Sequence, residues 1–160
     1  MITIVPFSQH YVQGVVDLIL SIQRLEFEIP ITLEAQPDLQ SISRFYQRGN
    51  GNFWVALDGE EIVGTLGLLD ISNRQTALRK IFVKATHRGS KRGVAKQLLD
   101  TLIAWCQLRG VLEIYLGTTD VFFAAHRFYE KNGFQMIDRF ALPASFPVMG
   151  VDSRFYCRTL

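Results

Sequence analysis

The sequence predicts a mixed α/β domain, and three observations carry that expectation. Apolar residues recur at helical spacing over 11–28, the period changes to that of strands after residue 50, and the second half alternates strand, loop, helix, strand, helix, strand. At 160 residues the chain has the usual length of one domain with its own core, and residues 1–160 are read as a single domain.

The elements follow in order. Val12, Val15, Val16, Ile19, Ile22 and Leu25 share one face of a helix spanning Tyr11 to Glu28, for which Ser8 is a candidate cap. Pro30 ends it, because the residue before proline is pushed out of the helical region. A second helix starts at Asp38, after Pro37, and runs through Ile42, Phe45 and Tyr46 to Gly49. Phe53 to Leu57 and Ile62 to Leu69 then read as two strands joined at Asp58-Gly59, a pair that supplies the positive φ of a tight hairpin turn. Ala77 to Val83, rich in branched and aromatic residues, is a third strand.

Val94, Ala95, Leu98, Leu102 and Trp105 form the stripe of a helix that ends near Gly110, and Val111 to Leu116 is a short apolar strand. Such a strand–helix–strand unit makes a parallel pair with a right-handed crossover. Thr119 or Asp120 is placed to cap the next helix, whose Val121, Ala124, Ala125, Phe128 and Tyr129 share a face, with Gly133 as its left-handed terminator. Phe134 to Ile137 and Arg154 to Arg158 complete the strands, and Ala141 to Gly150, with Pro143 and Pro147, is a loop.

Composition narrows the function classes. Apolar residues make up 48% and charged residues 20%, and no apolar run reaches the roughly 20 residues of a membrane span. Met1 to Gln9 has no basic segment leading into an apolar stretch, and Cys106 and Cys157 form neither a disulfide framework nor a metal-ligand spacing. The expectation is a cytoplasmic protein with no membrane partner and no metal. Net charge is only +2, yet eight of the 17 basic residues fall between Asp70 and Asp100, where there is no acidic residue. A charge run of this kind is ordinarily a solvated face. Here glycines are embedded in it.

Arg88-Gly89-Ser90-Lys91-Arg92-Gly93-Val94-Ala95 joins a strand to a helix. Glycines let the backbone approach a ligand, Ala95 leaves room, and the first amides of the following helix point at the same place with the positive end of its dipole. Arg88, Lys91 and Arg92 add charge. The arrangement suits a diphosphate. Neither a Walker sequence nor G-x-G-x-x-G is present, which argues against nucleotide hydrolysis and dinucleotide redox chemistry.

Two stretches carry a family resemblance. Leu78-Arg79-Lys80-Ile81-Phe82-Val83, followed by Arg88-Gly89 and by Gly93-Val94-Ala95 leading to Leu98-Leu99, is one; Ala125-His126-Arg127-Phe128-Tyr129-Glu130-Lys131-Asn132-Gly133-Phe134 is the other. Together they make nearly the whole chain resemble the GNAT acetyltransferase superfamily. The resemblance implies a mostly antiparallel central sheet of about six to seven strands flanked by about four helices. It also implies an N-acetyltransferase that uses acetyl-CoA as cosubstrate. The acceptor would be the amine of a small molecule or peptide, attacking directly through a tetrahedral intermediate. No nucleic acid is implied, and a homodimer is left open.

Residue by residue, the resemblance implies that strand four splays from strand five and that pantetheine lies in the gap against the backbone of Ile81 and Val83. An N–H near Phe82 or Val83 would stabilise the oxyanion, and the 88–95 loop would hold the diphosphate. Ala125, His126, Phe128 and Lys131 would lie on the helix beside CoA, with His126 and Lys131 toward its adenine or phosphate side. Tyr129 would protonate the leaving thiolate.

The family loop usually reads Arg/Gln, two residues, Gly, one residue, Gly/Ala. Counting back from Gly93 and Ala95 puts its first position at Ser90, so the loop is about two residues longer after Arg88-Gly89 than the common form, and Lys91 stands where glycine is frequent. Ala77 occupies the position of the strand-four glutamate that many relatives use as general base. Glu26, Glu28, Glu34, Asp70 and His87 remain candidates for that base by residue type, beside a water-mediated route. The segment Phe27 to Pro37 and the loop Ala141 to Gly150 would wall the acceptor site, with Ile29, Ile31, Leu33, Phe146, Val148 and Met149 as its apolar lining. Two alternatives stand beside this reading. One is a CoA-binding sensor or structural subunit without turnover, favoured by Ala77. The other is a small nucleic-acid-binding module using residues 74–96, disfavoured by the low overall charge.

Overall fold

The computed structural model describes residues 1–26, 28 and 31–160. Its frame is a seven-stranded sheet in the order β1-β2-β3-β4-β5-β7-β6. The strands are β1 (Ile2–Pro6), β2 (Asn52–Asp58), β3 (Glu61–Asp70), β4 (Gln75–Val83), β5 (Glu113–Thr118), β6 (Gln135–Ile137) and β7 (Arg154–Thr159). Neighbours are antiparallel except β4 and β5, which are parallel, as a strand–helix–strand crossover demands. The helices are α1 (Val12–Ser21), α2 (Pro37–Gln40), α3 (Ile42–Tyr46), α4 (Val94–Arg109) and α5 (Phe123–Lys131).

Side-chain alternation along the strands sorts the core into two faces. On one, α4 and α5 pack Val94, Leu98, Leu99, Leu102 and Tyr129 against Leu66, Leu68, Leu78, Ile114, Leu116 and Tyr156. On the other, α1, α2 and α3 cover Phe53 and Val55 with Val15, Ile19, Leu39, Ile42 and Tyr46. Farther along that second face Phe146 closes over Ala77, Tyr115 and Phe155. Gly110 (φ +72) and Gly133 (φ +86) follow α4 and α5 in the left-handed conformation, as expected of Gly133.

Several boundaries differ from the sequence reading. β1 was not anticipated: its Ile2 and Ile4 are partly buried against the α4 face, too short a pattern to stand out. The first helix is three pieces: a 3₁₀ turn (Gln9–Tyr11), α1, and a π-helical turn (Ile22–Glu26). Ser8 precedes the 3₁₀ turn without a side-chain cap, its Oγ lying 2.7 Å from His10 Nδ1. The expected stop at Pro30 lies outside the described residues, as do Phe27 and Ile29. The helix expected over 38–49 breaks at Ser41 (φ −147, ψ 54) into α2 and α3. α5 begins at Phe123 rather than directly after Thr119 or Asp120, so Val121 is 69% exposed instead of on the buried face.

The feature that positions the site is in the middle of the sheet. β4 pairs with β5 only through Gln75–Ala77 and Glu113–Tyr115. Beyond that point β4 pairs with β3 alone and β5 with β7 alone, so the sheet opens into a V.

Candidate active site

The V is lined by main chain. Lys84 N–H bonds Val63 O on the β3 side at 2.8 Å, so strand alternation turns the main-chain groups of Val83 and Ile81 toward the gap. Val83 O already accepts from Arg88 Nε there, at 2.8 Å. Phe82, in register with Thr65, turns its main chain to β3 and its ring to the α1–α3 core. Ile81 and Val83 direct their side chains to the α4 face.

At the mouth of the V lies the loop before α4. Arg92 N–H and Gly93 N–H both bond Gly89 O, at 3.2 and 3.1 Å, in a turn made by positive φ at Gly89 (+103) and Gly93 (+66). α4 has no side-chain cap. Among the described residues, no protein acceptor meets the amides of Ser90, Lys91, Val94, Ala95 or Lys96. Free amides at a helix start with no side chain competing form an anion-binding cradle. Val94 contributes its amide only, since its side chain is in the core. Ser90, Lys91 and Arg92 are exposed around this point. Arg88 is not free to join them: its guanidinium forks onto Glu26, with Nη1 2.5 Å from Oε1 and Nη2 2.8 Å from Oε2. The mobile charge expected of Arg88 is thus a strut between the loop and the end of the first helix.

On α5, Tyr129 is buried among Phe128, Phe134 and Tyr156. Burial, followed by the neighbouring Tyr156, pushes its phenol well above the usual range. It therefore holds its proton at neutral pH, and among the described residues no group hydrogen-bonds its hydroxyl.

Ala125 and Phe128 pack at the margin of the same core, and Lys131 is exposed. His126 is turned inward: Nε2 donates to Thr119 O at 2.7 Å, and Nδ1 accepts from Arg154 Nη1 at 3.0 Å. With both ring nitrogens occupied, it ties α5 to the end of β5 and to β7 rather than presenting a donor at the surface.

The proposed bases fare differently from one another. His87 is pinned between Asp58 Oδ2 and Thr86 Oγ1, both at 2.8 Å. Asp70 accepts from Asn50 N–H and Ser72 N–H and so fixes two turns. Glu26 is the partner of Arg88. Glu28 (φ +53) and Glu34 are exposed.

A different carboxylate stands at the opening. Asp152 lies over Gly117 of β5, so close that a Cβ at 117 would sit 2.6 Å from its Oδ2. It accepts from Met149 N–H at 2.9 Å. Burial raises its pKa; the Met149 N–H, Arg79 and Arg139 oppose that rise. On the β4 side of the same opening stand Arg79 and Lys80, directed at Asp38 of α2. The sequence reading missed these four residues. Asp152 falls two positions beyond the loop it marked out, and Arg79 and Lys80 were absorbed into a basic run.

A sheet split between its parallel strands, with an uncapped helix start beside the split, defines an acetyltransferase fold of the GNAT kind. The chain belongs to the acetyltransferase (GNAT) family, whose model matches residues 17–134. A crystal structure of a GNAT-family acetyltransferase from Staphylococcus aureus Mu50 superposes with a TM-score of 0.93 at 41% identity, covering 99% of each chain. An acetyltransferase from Streptococcus agalactiae 2603 gives 0.93 at 29%, covering 99% of this chain and 98% of that one. Among curated relatives, the mouse probable N-acetyltransferase family 8 member 5 is 32% identical over 111 residues, 66% of this chain and 48% of that protein. The zebrafish N-acetylaspartate synthetase is 33% identical over 102 residues, 62% of this chain and 36% of that protein. The chain spans about half, or less, of the length of such relatives. No helix among the described residues is long and apolar enough to cross a membrane.

Proposed function

We propose that this chain transfers an acetyl group from acetyl-CoA to the amine of a small molecule or peptide. The observation that carries the reading is the V between β4 and β5 opening beside unbonded amides at the head of α4. The cosubstrate supplies an acetyl group activated as a thioester. The amides of Val94, Ala95 and Lys96, with those of Ser90 and Lys91, receive its diphosphate, and Lys91 and Arg92 add charge from solvent. Main-chain groups of Ile81 and Val83 hold the pantetheine arm, and an N–H at this bend of β4 faces the developing oxyanion. Such a donor is worth about 3–4 kcal/mol in the transition state.

Proton traffic falls to two side chains. Tyr129, protonated and unpartnered, delivers a proton to the departing sulfur. Asp152, held above the ordinary aspartate range at the far side of the opening, takes the proton of the attacking amine. Ala77, buried in the core beside Tyr115, leaves the usual strand-four carboxylate position empty of function.

The test has two arms. Acetyl-CoA and CoA should raise the melting temperature where ATP and NAD do not, and thiol release should follow addition of an acceptor from a panel of amino acids, polyamines, aminoglycosides and peptides. No thermal response to CoA species refutes the ligand. A response with no thiol release across the panel makes the chain a CoA-binding sensor or subunit instead.

A further inference from the structure

Resting on the acetyl-transfer reading above, we propose that the acceptor is an amino acid, or a similarly small amine bearing a carboxylate, and that the Arg79 guanidinium docks that carboxylate at the open side of β4.

The placement begins with a bulge. Thr65 of β3 is in register with Phe82 and Gly67 with Arg79, so two residues of β4, Lys80 and Ile81, oppose Leu66. Lys80 takes positive φ (+57), and its carbonyl is held by Thr65 Oγ1 at 2.8 Å. Strict alternation would send neighbouring side chains to opposite faces. The extra residue instead leaves Arg79 and Lys80 on the same face, toward α2 and α3.

Two cations there meet one carboxylate. Lys80 Nζ is 3.7 Å and Arg79 Nη2 3.9 Å from Asp38 Oδ2, which already accepts the Tyr46 hydroxyl at 2.6 Å. Lys80 is further held by Gln36 Oε1 at 2.5 Å. Arg79 is left short of partners. Its side chain is only 14% exposed, yet among the described residues its hydrogen-bond acceptor is the Met149 thioether, 3.6 Å from Nη2. The Phe45 ring lies under it at 5.6 Å. A guanidinium carries five N–H donors in a planar fork suited to a carboxylate, and the Arg79 donors that no protein group bonds remain open to solvent and to a ligand.

The fork stands against the 141–150 loop, expected to wall the acceptor site, through Met149, and against Asp38 and Phe45, which lie beyond the other expected wall, Phe27 to Pro37. Met149, flexible and 43% exposed, is displaced at little cost. An anion arriving from solvent would fill N–H donors of the fork that Asp38, at 3.9 Å, does not bond, while Asp152 across the opening suits the amine end of the same molecule. Polyamines and aminoglycosides, cationic throughout, meet Arg79 and Lys80 unfavourably.

The test compares matched ligands that differ only in the carboxylate. N-acetyl-L-amino acids and their C-terminal amides are titrated into the CoA-saturated protein by calorimetry. The expected result is at least one acid binding about 10- to 100-fold tighter than its amide, the range for hydrogen bonds to a charged group. Arg79→Gln should erase that preference with the CoA affinity retained, and Arg79→Lys, which keeps charge without the fork, should restore part of it. If Arg79→Gln does not fold, the acid–amide comparison in wild type and Arg79→Lys decides alone. Acid and amide bound equally by the wild type, or an unaltered preference in Arg79→Gln, overturns the assignment. Carboxylate-selective binding without thiol release would keep this docking site and refute acetyl transfer; thiol release indifferent to the carboxylate would do the reverse.

Discussion

Gly117→Ala tests the role of Asp152 without touching its chemistry. A Cβ at 117 would lie 2.6 Å from Oδ2 and 2.7 Å from Cγ of Asp152. Carbon–oxygen contacts settle near roughly 3.3–3.6 Å, so the carboxylate has to retreat by about 0.7–1 Å. A retreat of that size pulls on its 2.9 Å bond from Met149 N–H. Because the atoms in the way are the end of a side chain rather than backbone, the stability cost stays at or below the about 1–3 kcal/mol of core overpacking. The catalytic cost is set by misplacement, and a shift of about 1 Å at a reacting group lowers turnover by about 100-fold. Steady-state thiol release with saturating acetyl-CoA should therefore show kcat down by about 10- to 100-fold and the acetyl-CoA Kd unchanged. Asp152→Asn should fall at least as far. Wild-type kcat should rise with pH through a limb lying above the ordinary aspartate value of 3.8, because burial raises this carboxyl and the base works only once deprotonated. Asp152→Asn should lack that limb. The stability sign is opposite: a raised pKa favours the fold below the unfolded value and loses that contribution as pH rises through the folded one. The melting temperature of Asp152→Asn relative to wild type should thus improve from acid toward neutral pH. Full kcat and an unmoved limb in Gly117→Ala and Asp152→Asn together would remove Asp152 from the mechanism.

Three further outcomes follow from the geometry. Tyr129→Phe should keep acetyl-CoA affinity by calorimetry but lower turnover by about 10- to 1000-fold, extending slightly below the usual acid–base range; equal turnover would make Tyr129 a core residue only. Ala95→Asp should separate helix stability from ligand binding: an anion in the first turn of α4 adds about 0.3–1 kcal/mol to the helix, yet occupies the diphosphate cradle and should weaken acetyl-CoA by more than about 10-fold. Unchanged acetyl-CoA affinity would mean the cradle is not used. Asp38→Ala, at a side chain only 5% exposed, should destabilise the fold by about 3–5 kcal/mol in urea titration, because Lys80 and Tyr46 lose their shared partner.

How much of this was legible follows from where the information sits. The α4 stripe, the Gly89–Gly93 loop and the parallel β4–β5 unit could be read because each is local: a period, two glycines and a connection rule. β1 could not, since five residues packed at the sheet edge carry too little periodicity. The break at Ser41 comes from tertiary packing of Leu39, Ile42 and Tyr46, whose helical spacing is the same with or without it. His126 and Arg88 had the right residue type near the right place. What decided their geometry were Thr119, Arg154 and Glu26, partners 7, 28 and 62 positions away, the last two beyond any local window. Asp152 was hidden for the same reason, its meaning arising only from contact with Gly117.

The bulge in β4 ties these threads together. One extra residue opposite Leu66 does three things at once. It bends β4 at the point where pairing with β5 has already ended, it restores alternation so that Ile81 and Val83 meet the α4 side, and it leaves Arg79 and Lys80 on the acceptor side. Positive φ at a lysine costs roughly 1 kcal/mol or more and persists only where surrounding contacts enforce it. Those contacts are the Thr65 hydroxyl on the Lys80 carbonyl and Gln36 on its ammonium. Lys80→Gly would relieve the strain and remove the charge; Lys80→Met would keep the strain and lose only the charge. If the bulge serves mainly to split the strand, Lys80→Gly should retain acetyl-CoA binding and most stability. If the ammonium is what holds α2 in place against β4, Lys80→Gly and Lys80→Met should lose stability alike. Comparing the two variants by denaturation and by acetyl-CoA titration separates strand geometry from charge at a single position.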